Sequence, residues 1–474
     1  MKHSIAILGL YLLATIGLSA QTALQQLLQN PALKHASVGI QVTDLKSGRT
    51  VASHDAERSL TPASVTKLIT TAGALELLGS DYRYETKVAI DATDPSRILV
   101  VGAGDPTLGS EALGDNPHHF FEEAARALSL QLSTTDTYTI YVVDDLFGYE
   151  GVSPEWTWID LGNYYASAAY GVSVFDNSYK LFFNTLDQSK GVQVVRTEPV
   201  IRQLSIVNEL TLNSTGRDNG YLYGAPFSYD RVVRGNIPAG RRAFSIKGDI
   251  PDPAQLLGET LADYLSRYNL KVSTVTTARQ DYLKGERPRY AIGTAVYAHL
   301  SPTLSDISRE TNVVSNNHYA EHLIRTIGVN NRVGSHPDAL SKGIETLDKL
   351  WKQKGIATTS VSLHDGSGLA PQNAFSAAFL TELLYYMYNR SGESSAFVQS
   401  LPTAGRDGTL RNFMRNTRYE GKIKAKSGSI GGVHCYSGYL IDGDKEYSFT
   451  IMVNKFNGTR PQVRSAIEKY LNSL

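Results

Sequence analysis

The stretch from about Tyr82 to residue 284 constrains the fold more than anything else in this chain. It reads as short β-rich runs separated by turns, "RILVVGAGDPTL" and "YTIYVVDDLF" among them. Two helical segments interrupt it. One is "NPHHFFEEAARALSLQL", with Asn116 as cap and Pro117 at its first position; the other is "DPAQLLGETLADYLSRY" at 252–268. At roughly 200 residues it exceeds any loop, so it must be an inserted region with a core of its own. The flanks have a different texture. "ASVGIQVTDLKSGRTVASHD" (36–55) alternates around Lys46-Ser47-Gly48 and predicts a β-hairpin. A helix follows from Pro62, with Val65, Leu68, Ile69, Ala72, Leu75 and Leu78 on one face and Thr61 as its cap. After His299 the segments are helical, then "GKIKAKSGSI", "VHCYSGYLI" and "EYSFTIMVNKF" predict three antiparallel strands, and "RPQVRSAIEKYLNSL" a closing helix. The expected fold is α/β (α+β), an antiparallel sheet flanked by helices and formed from both ends of the chain. Its expected extent is 21–84 with 285–474, and 85–284 is expected as a β-rich insertion of two subdomains.

A chain of 474 residues is too long for one ordinary core. With 46 basic and 46 acidic residues, nothing in its charge favours nucleic acid. Lys2 and His3 precede the apolar run "SIAILGLYLLATIGLSA", the layout of a secretory signal peptide (1–20) with cleavage expected after Ala20. No later stretch is apolar enough to span a bilayer, so no transmembrane span is expected in the mature chain. Export to the periplasm or cell envelope is therefore expected. Cys435, the single cysteine, rules out an intramolecular disulfide and a thiolate-rich metal site, and it is read as a small buried residue on a strand.

Ser64 and Lys67 lie one helical turn apart at the start of the predicted helix, so they project from the same side. A serine hydroxyl is a poor nucleophile without a base, and a lysine amine serves as one when burial or neighbouring positive charge lowers its pKa. By itself the spacing is equally that of two surface residues. Two further groups stand out. Ser315-Asn316-Asn317 offers a second hydroxyl and a carboxamide in a mainly helical region. Lys426-Ser427-Gly428, with Ser429 next, puts a cation and a hydroxyl on a predicted strand, where they could hold a substrate carboxylate against a strand edge left open by the glycine.

In that order, S-x-x-K, S-x-N and K-[ST]-G form the set shared by penicillin-binding proteins and serine β-lactamases. Over the mature chain, including "GAGDPTL", "WTWIDLGNYY", "HLSPTLSDI", "HDGSGLAPQN" and "LPTAGRDGTLR", the sequence resembles the D-alanyl-D-alanine carboxypeptidase/endopeptidase family. These are low-molecular-mass penicillin-binding proteins with a large insertion after the serine helix. The resemblance implies a transpeptidase-like fold, hydrolysis rather than transpeptidation, peptidoglycan stem peptides as substrates, β-lactams as inhibitors and no cofactor. It implies Ser64 as nucleophile, Lys67 as base, Ser315 and Lys426 as a proton relay, and Asn317 as a ligand for a substrate amide. Ser427 and Lys426 would bind the terminal carboxylate beside Gly428, and the Ser64 and Ser429 N–H groups would form an oxyanion hole. Asp160 in "WTWIDL" corresponds to an acidic residue recognising the free amino-acid end of a side chain. The alternative for Asp160 is a turn residue, with Trp156, Trp158, Tyr164 and Tyr165 as core.

The remaining candidates are weaker. His118, His119, Glu122 and Glu123 lack a third clear metal ligand and read as a solvated helix face. "GAGDPTL" has no phosphate-binding lysine. His364 and Asp365 read as a structural loop near the site. Two rivals remain to the peptidase. A serine β-lactamase shares the three motifs, but its usual form lacks such an insertion. A catalytically silent wall-binding scaffold need not keep Ser64, Lys67, Ser315, Asn317 and Lys426 together.

Overall fold

The computed structural model describes residues 22–114, 116–329 and 337–474; the expected signal peptide lies outside them. The chain divides into two compact units. The first comprises residues up to Asp81, Leu304–Asn316 and Ile344–Leu474; the second comprises Tyr82–Thr303 and Asn317–Gly343. Among the described residues, no helix is long and apolar enough to cross a membrane.

The first unit is built on a five-stranded antiparallel sheet. In spatial order its strands are Ile423–Ile430, Val433–Asp442, Lys445–Asn454, Ser37–Asp44 and Thr50–His54. The hairpin around Lys46-Ser47-Gly48 thus pairs with the C-terminal strands, joining the two ends of the chain in one sheet. Val38, Ile40, Val42, Phe449, Ile451 and Val453 form the core of one face with Val463, Ile467 and Leu471 of the closing helix Arg460–Leu471. Cys435 is buried on the second of these strands, and burial pushes its thiol pKa up to about 12.

The serine helix departs from its sequence reading. Ala63–Thr66 is a 3-10 turn, and the α-helix proper is Lys67–Leu78. Thr61 does not cap it. Its backbone N–H and C=O are bonded instead by the side chain of Asn454, at 2.8 and 3.0 Å, and Pro62 occupies the cap position. The tertiary contact outcompetes the local cap. The middle helix also begins later, at His119, and Asn116 bonds the His118 N–H rather than capping it.

The second unit holds a mixed five-stranded sheet in the order Lys271–Thr277, Thr137–Val143, Arg97–Val101, Glu85–Asp91 and Ile292–Leu300. Two short three-stranded sheets accompany it. Helices His119–Ser129 and Pro253–Ser266 bury Phe120, Phe121, Leu257 and Leu261 with Val88, Ile98 and Ile140 of the sheet. This corrects the expected boundary at 285. Ile292–Leu300 pairs antiparallel with Glu85–Asp91, so the insertion extends to residue 303, and the described residues 317–329 and 337–343 group with it as well.

Arg231 and Asp249 join strands of the two small sheets by a 2.9 Å ion pair, with the Arg231 side chain fully buried. Removing one partner strands the other's charge out of water. Arg231→Met should therefore lower stability by about 3–5 kcal/mol, measured by urea unfolding. A loss too small to resolve would show that Asp249 regains water without its partner.

Candidate active site

Ser64 stands on a strained turn. Ala63, directly before it and fully buried, has φ +49°, a left-handed conformation that an alanine adopts only when its surroundings hold it. The surroundings are the loop carrying "HDGSGL". A Cβ on Gly368 would fall 2.0 Å from the Ala63 carbonyl oxygen, so the glycine permits this close approach. Asp365 fixes the loop by accepting the N–H groups of Gly368 and Ala370, each at 2.7 Å, and Asn373 Nδ2 at 2.8 Å.

Lys67, the first α-helical residue, is fully buried. Its Nζ lies 3.1 Å from Ser64 Oγ and donates to the Ser367 carbonyl at 2.7 Å. Thr70, one turn on, donates to the Gly366 carbonyl at 2.7 Å. The loop thus supplies backbone acceptors that hold the lysine beside the serine. Sequence reasoning placed this loop near the site but gave its carbonyls no role, because a backbone acceptor leaves no residue signature.

The second motif breaks what sequence alone reads as continuous helical texture. Helices Leu304–Val313 and Asn317–Val329 are separated at Ser315, whose φ is +64°. Lys426 Nζ donates to Ser315 Oγ at 3.0 Å and to the Ser427 carbonyl at 2.8 Å. Lys426 is fully buried, and burial together with the charge of Lys67 lowers its pKa well below the ordinary value. In the first unit the structure therefore forms two hydroxyl–amine pairs, Ser64–Lys67 and Ser315–Lys426, and their two amines sense each other's charge.

Gly428 explains how the third motif reaches the first. A Cβ there would meet the Pro62 carbonyl oxygen at 2.5 Å, Val65 N at 3.0 Å and Ser64 N at 3.1 Å. The missing side chain lets the strand lie on the Ser64 turn. The sequence reading gave that missing side chain to substrate; in the structure the Ser64 turn lies against it. Ser427 Oγ donates to Thr409 Oγ1 at 2.8 Å, and Ser429 is exposed beyond it. Thr409 is a neighbour that the sequence reading quoted within a segment but did not single out.

Asn317 and Asp160 belong to the second unit. Asn317 Nδ2 donates to the Tyr165 carbonyl at 2.7 Å. Asp160 accepts the Thr157 hydroxyl at 2.5 Å and also the Tyr165 hydroxyl, whose pKa is raised by burial and by the Asp160 charge. The aromatics around it divide. Trp156 is buried, whereas Trp158 and Tyr164 are 60% and 50% exposed, so not all of them are core.

Residues 20–474 match the model of the D-Ala-D-Ala carboxypeptidase 3 (S13) family. The chain belongs to that family. It is similar to the D-alanyl-D-alanine carboxypeptidase of Actinomadura sp. (strain R39), at 29% identity over 92% of this chain and 81% of that protein. Carboxypeptidase DacB of Mycolicibacterium smegmatis is 24% identical over 94% of this chain and 82% of its own length. Among solved structures, penicillin binding protein 4 (dacB) from Haemophilus influenzae superposes with a TM-score of 0.78 at 17% identity, covering 96% of this chain and 97% of that one. That likeness shows the shared fold, the antiparallel sheet with helices expected from the sequence. The S13 family is one of serine D-Ala-D-Ala carboxypeptidases, and this chain is a serine-type DD-peptidase.

The two amines give a test of the site's electrostatics. The folded-state pKa of Lys426 lies below its unfolded value, so between the two values the folded protein binds fewer protons and stability rises with pH. Of the two causes, Lys67→Met removes only the charge. The Lys426 pKa should then rise but stay below its ordinary value, as followed by NMR of labelled lysine side chains. An unchanged or lower pKa in the variant would show that the two ammonium groups do not interact.

Proposed function

We propose that the enzyme hydrolyses D-alanyl-D-alanine ends, D-alanyl cross-links, or both, in peptidoglycan stem peptides, through an acyl-enzyme on Ser64. The observation that carries this reading is the buried Lys67 amine 3.1 Å from the Ser64 hydroxyl. A neutral amine there takes the hydroxyl proton as Ser64 Oγ attacks the carbonyl between two D-alanines. The Ser64 and Ser429 N–H groups stabilise the oxyanion as it forms. The Ser315 hydroxyl protonates the departing amine and recovers its proton from Lys426. Water then hydrolyses the acyl group.

The proximity of the two lysines bears on how protons are shared between them. The Lys67 charge disfavours that of Lys426, so the pair resists carrying two charges at once. The remaining charge and the Ser427 hydroxyl suit the terminal carboxylate of the substrate. Asn317 would bind a substrate amide, and Asp160, on a partly exposed turn, would bind an amine of the stem peptide. β-Lactams, which present a comparable carboxylate and reactive carbonyl, would act as inhibitors. A structure of the Haemophilus protein complexed with a β-lactam, TM-score 0.73 and 16% identity, is consistent with that. The basic residue and apolar run before Gln21 support export, with action in the periplasm or cell envelope.

The test is release of D-alanine from a stem pentapeptide ending in D-alanyl-D-alanine, with a purified cross-linked dimer in parallel. Ser64→Ala should lower turnover of whichever substrate is cleaved by about 10⁴-fold or more. Turnover in the variant within tenfold of the parent would remove Ser64 from the chemistry.

A further inference from the structure

The third motif here has serine where threonine would carry a β-methyl, and that methyl is what limits χ1 of a threonine on a strand. Ser427 lacks this restriction. The Gly428 packing fixes its backbone, but its hydroxyl has three staggered positions open to it. One of them meets Thr409 Oγ1 at 2.8 Å.

Thr409 is itself firmly held. The segment before it runs along the outer strand Ile423–Ile430. Ala404 N–H donates to the Ile423 carbonyl at 2.9 Å, Ala425 N–H to the Pro402 carbonyl at 3.1 Å, and Thr403 forms a β-bridge with Lys424. Asp407 accepts the Thr403 N–H at 2.6 Å and closes the turn. Gly408, with φ +50°, then sits so close to the end of the helix Leu304–Val313 that a Cβ would fall 2.2 Å from the Val313 carbonyl. The 3-10 turn Gly408–Leu410 is thus wedged between the strand bearing Lys426 and Ser427 and the helix that leads to Ser315, with Leu410 buried beneath it.

We propose that Thr409 is a positioning residue that holds the Ser427 hydroxyl in its carboxylate-binding rotamer, replacing by a hydrogen bond the restriction a β-methyl would supply. This rests on the role assigned to Ser427 above. In the structure Ser427 donates to Thr409. A carboxylate accepts only, so once it binds, Ser427 turns its proton to the substrate, and Thr409 donates into the freed lone pair of Ser427 Oγ. The oxygen positions need not change. The result is a two-hydroxyl chain ending on the substrate, each bond polarising the next.

The experiment is a small series on the full-length mature enzyme: Thr409→Val, Thr409→Ser, Ser427→Thr and the double variant Thr409→Val/Ser427→Thr. Steady-state hydrolysis of the stem pentapeptide is one readout, and the Ser427 side chain in high-resolution crystal structures is the other. Thr409→Val keeps the shape and removes the hydroxyl. It should raise KM about five- to twentyfold with a smaller effect on kcat, and leave Ser427 in more than one rotamer. Thr409→Ser should stay within about twofold of the parent. Adding Ser427→Thr to Thr409→Val should restore KM to within about threefold and return residue 427 to a single rotamer. A Thr409→Val enzyme with unchanged KM and one Ser427 rotamer overturns the proposal. A defect that Ser427→Thr fails to repair also overturns it, because the residue would then act other than by fixing that rotamer. If Ser427 does not bind the carboxylate at all, KM is unmoved across the series while the crystal rotamers still change, which separates that failure from this one.

Discussion

Two lysines fully buried in one small domain are the constraint on which the rest of the first unit turns. An ammonium group taken out of water is costly unless it is hydrogen-bonded or loses its proton. The fold meets that cost with backbone and hydroxyl acceptors: the Ser367 carbonyl and Ser64 for Lys67, the Ser427 carbonyl and Ser315 for Lys426. Each lysine is left with a serine hydroxyl at about hydrogen-bond distance. The same burial that threatens stability, with the Lys67 charge beside it, disfavours the charged form of Lys426.

Holding these groups in register takes backbone that ordinary residues avoid. Ala63, directly before Ser64, and Ser315 both have positive φ. Gly368 and Gly428 admit neighbouring backbone to within distances no side chain would allow. Strain at such positions persists only where surrounding packing over-determines it. Here the loop carrying Gly368 and the strand carrying Gly428 supply that packing around the Ser64 turn.

Much of this was legible in the sequence, and for definite reasons. The hairpin at 36–55 and the three C-terminal strands alternate cleanly, and the closing helix carries its own capping box at Thr459. Spacing put Ser64 and Lys67 on one side of a helix, though equally as two surface residues, whereas Ser315 and Lys426 are 111 residues apart and were associated only through the order of the motifs. The cap of the serine helix was misassigned because Asn454, far along the chain, holds Thr61. The Ser367 carbonyl was invisible, since any residue type carries one. The extent of the insertion was misjudged at 285 because strand pairing of Ile292–Leu300, not sequence texture, decides where that segment belongs.

The central claim is that Ser64 forms a covalent acyl-enzyme with Lys67 as its base. The most direct measurement is peptide mapping by mass spectrometry after brief exposure of the mature protein to benzylpenicillin, beside a Lys67→Met variant. The account predicts one penicilloyl adduct, on the peptide containing Ser64, and almost none in the variant. An enzyme that hydrolyses D-alanyl peptides while carrying its adduct on another residue, or labelling Ser64 equally well without Lys67, would contradict it.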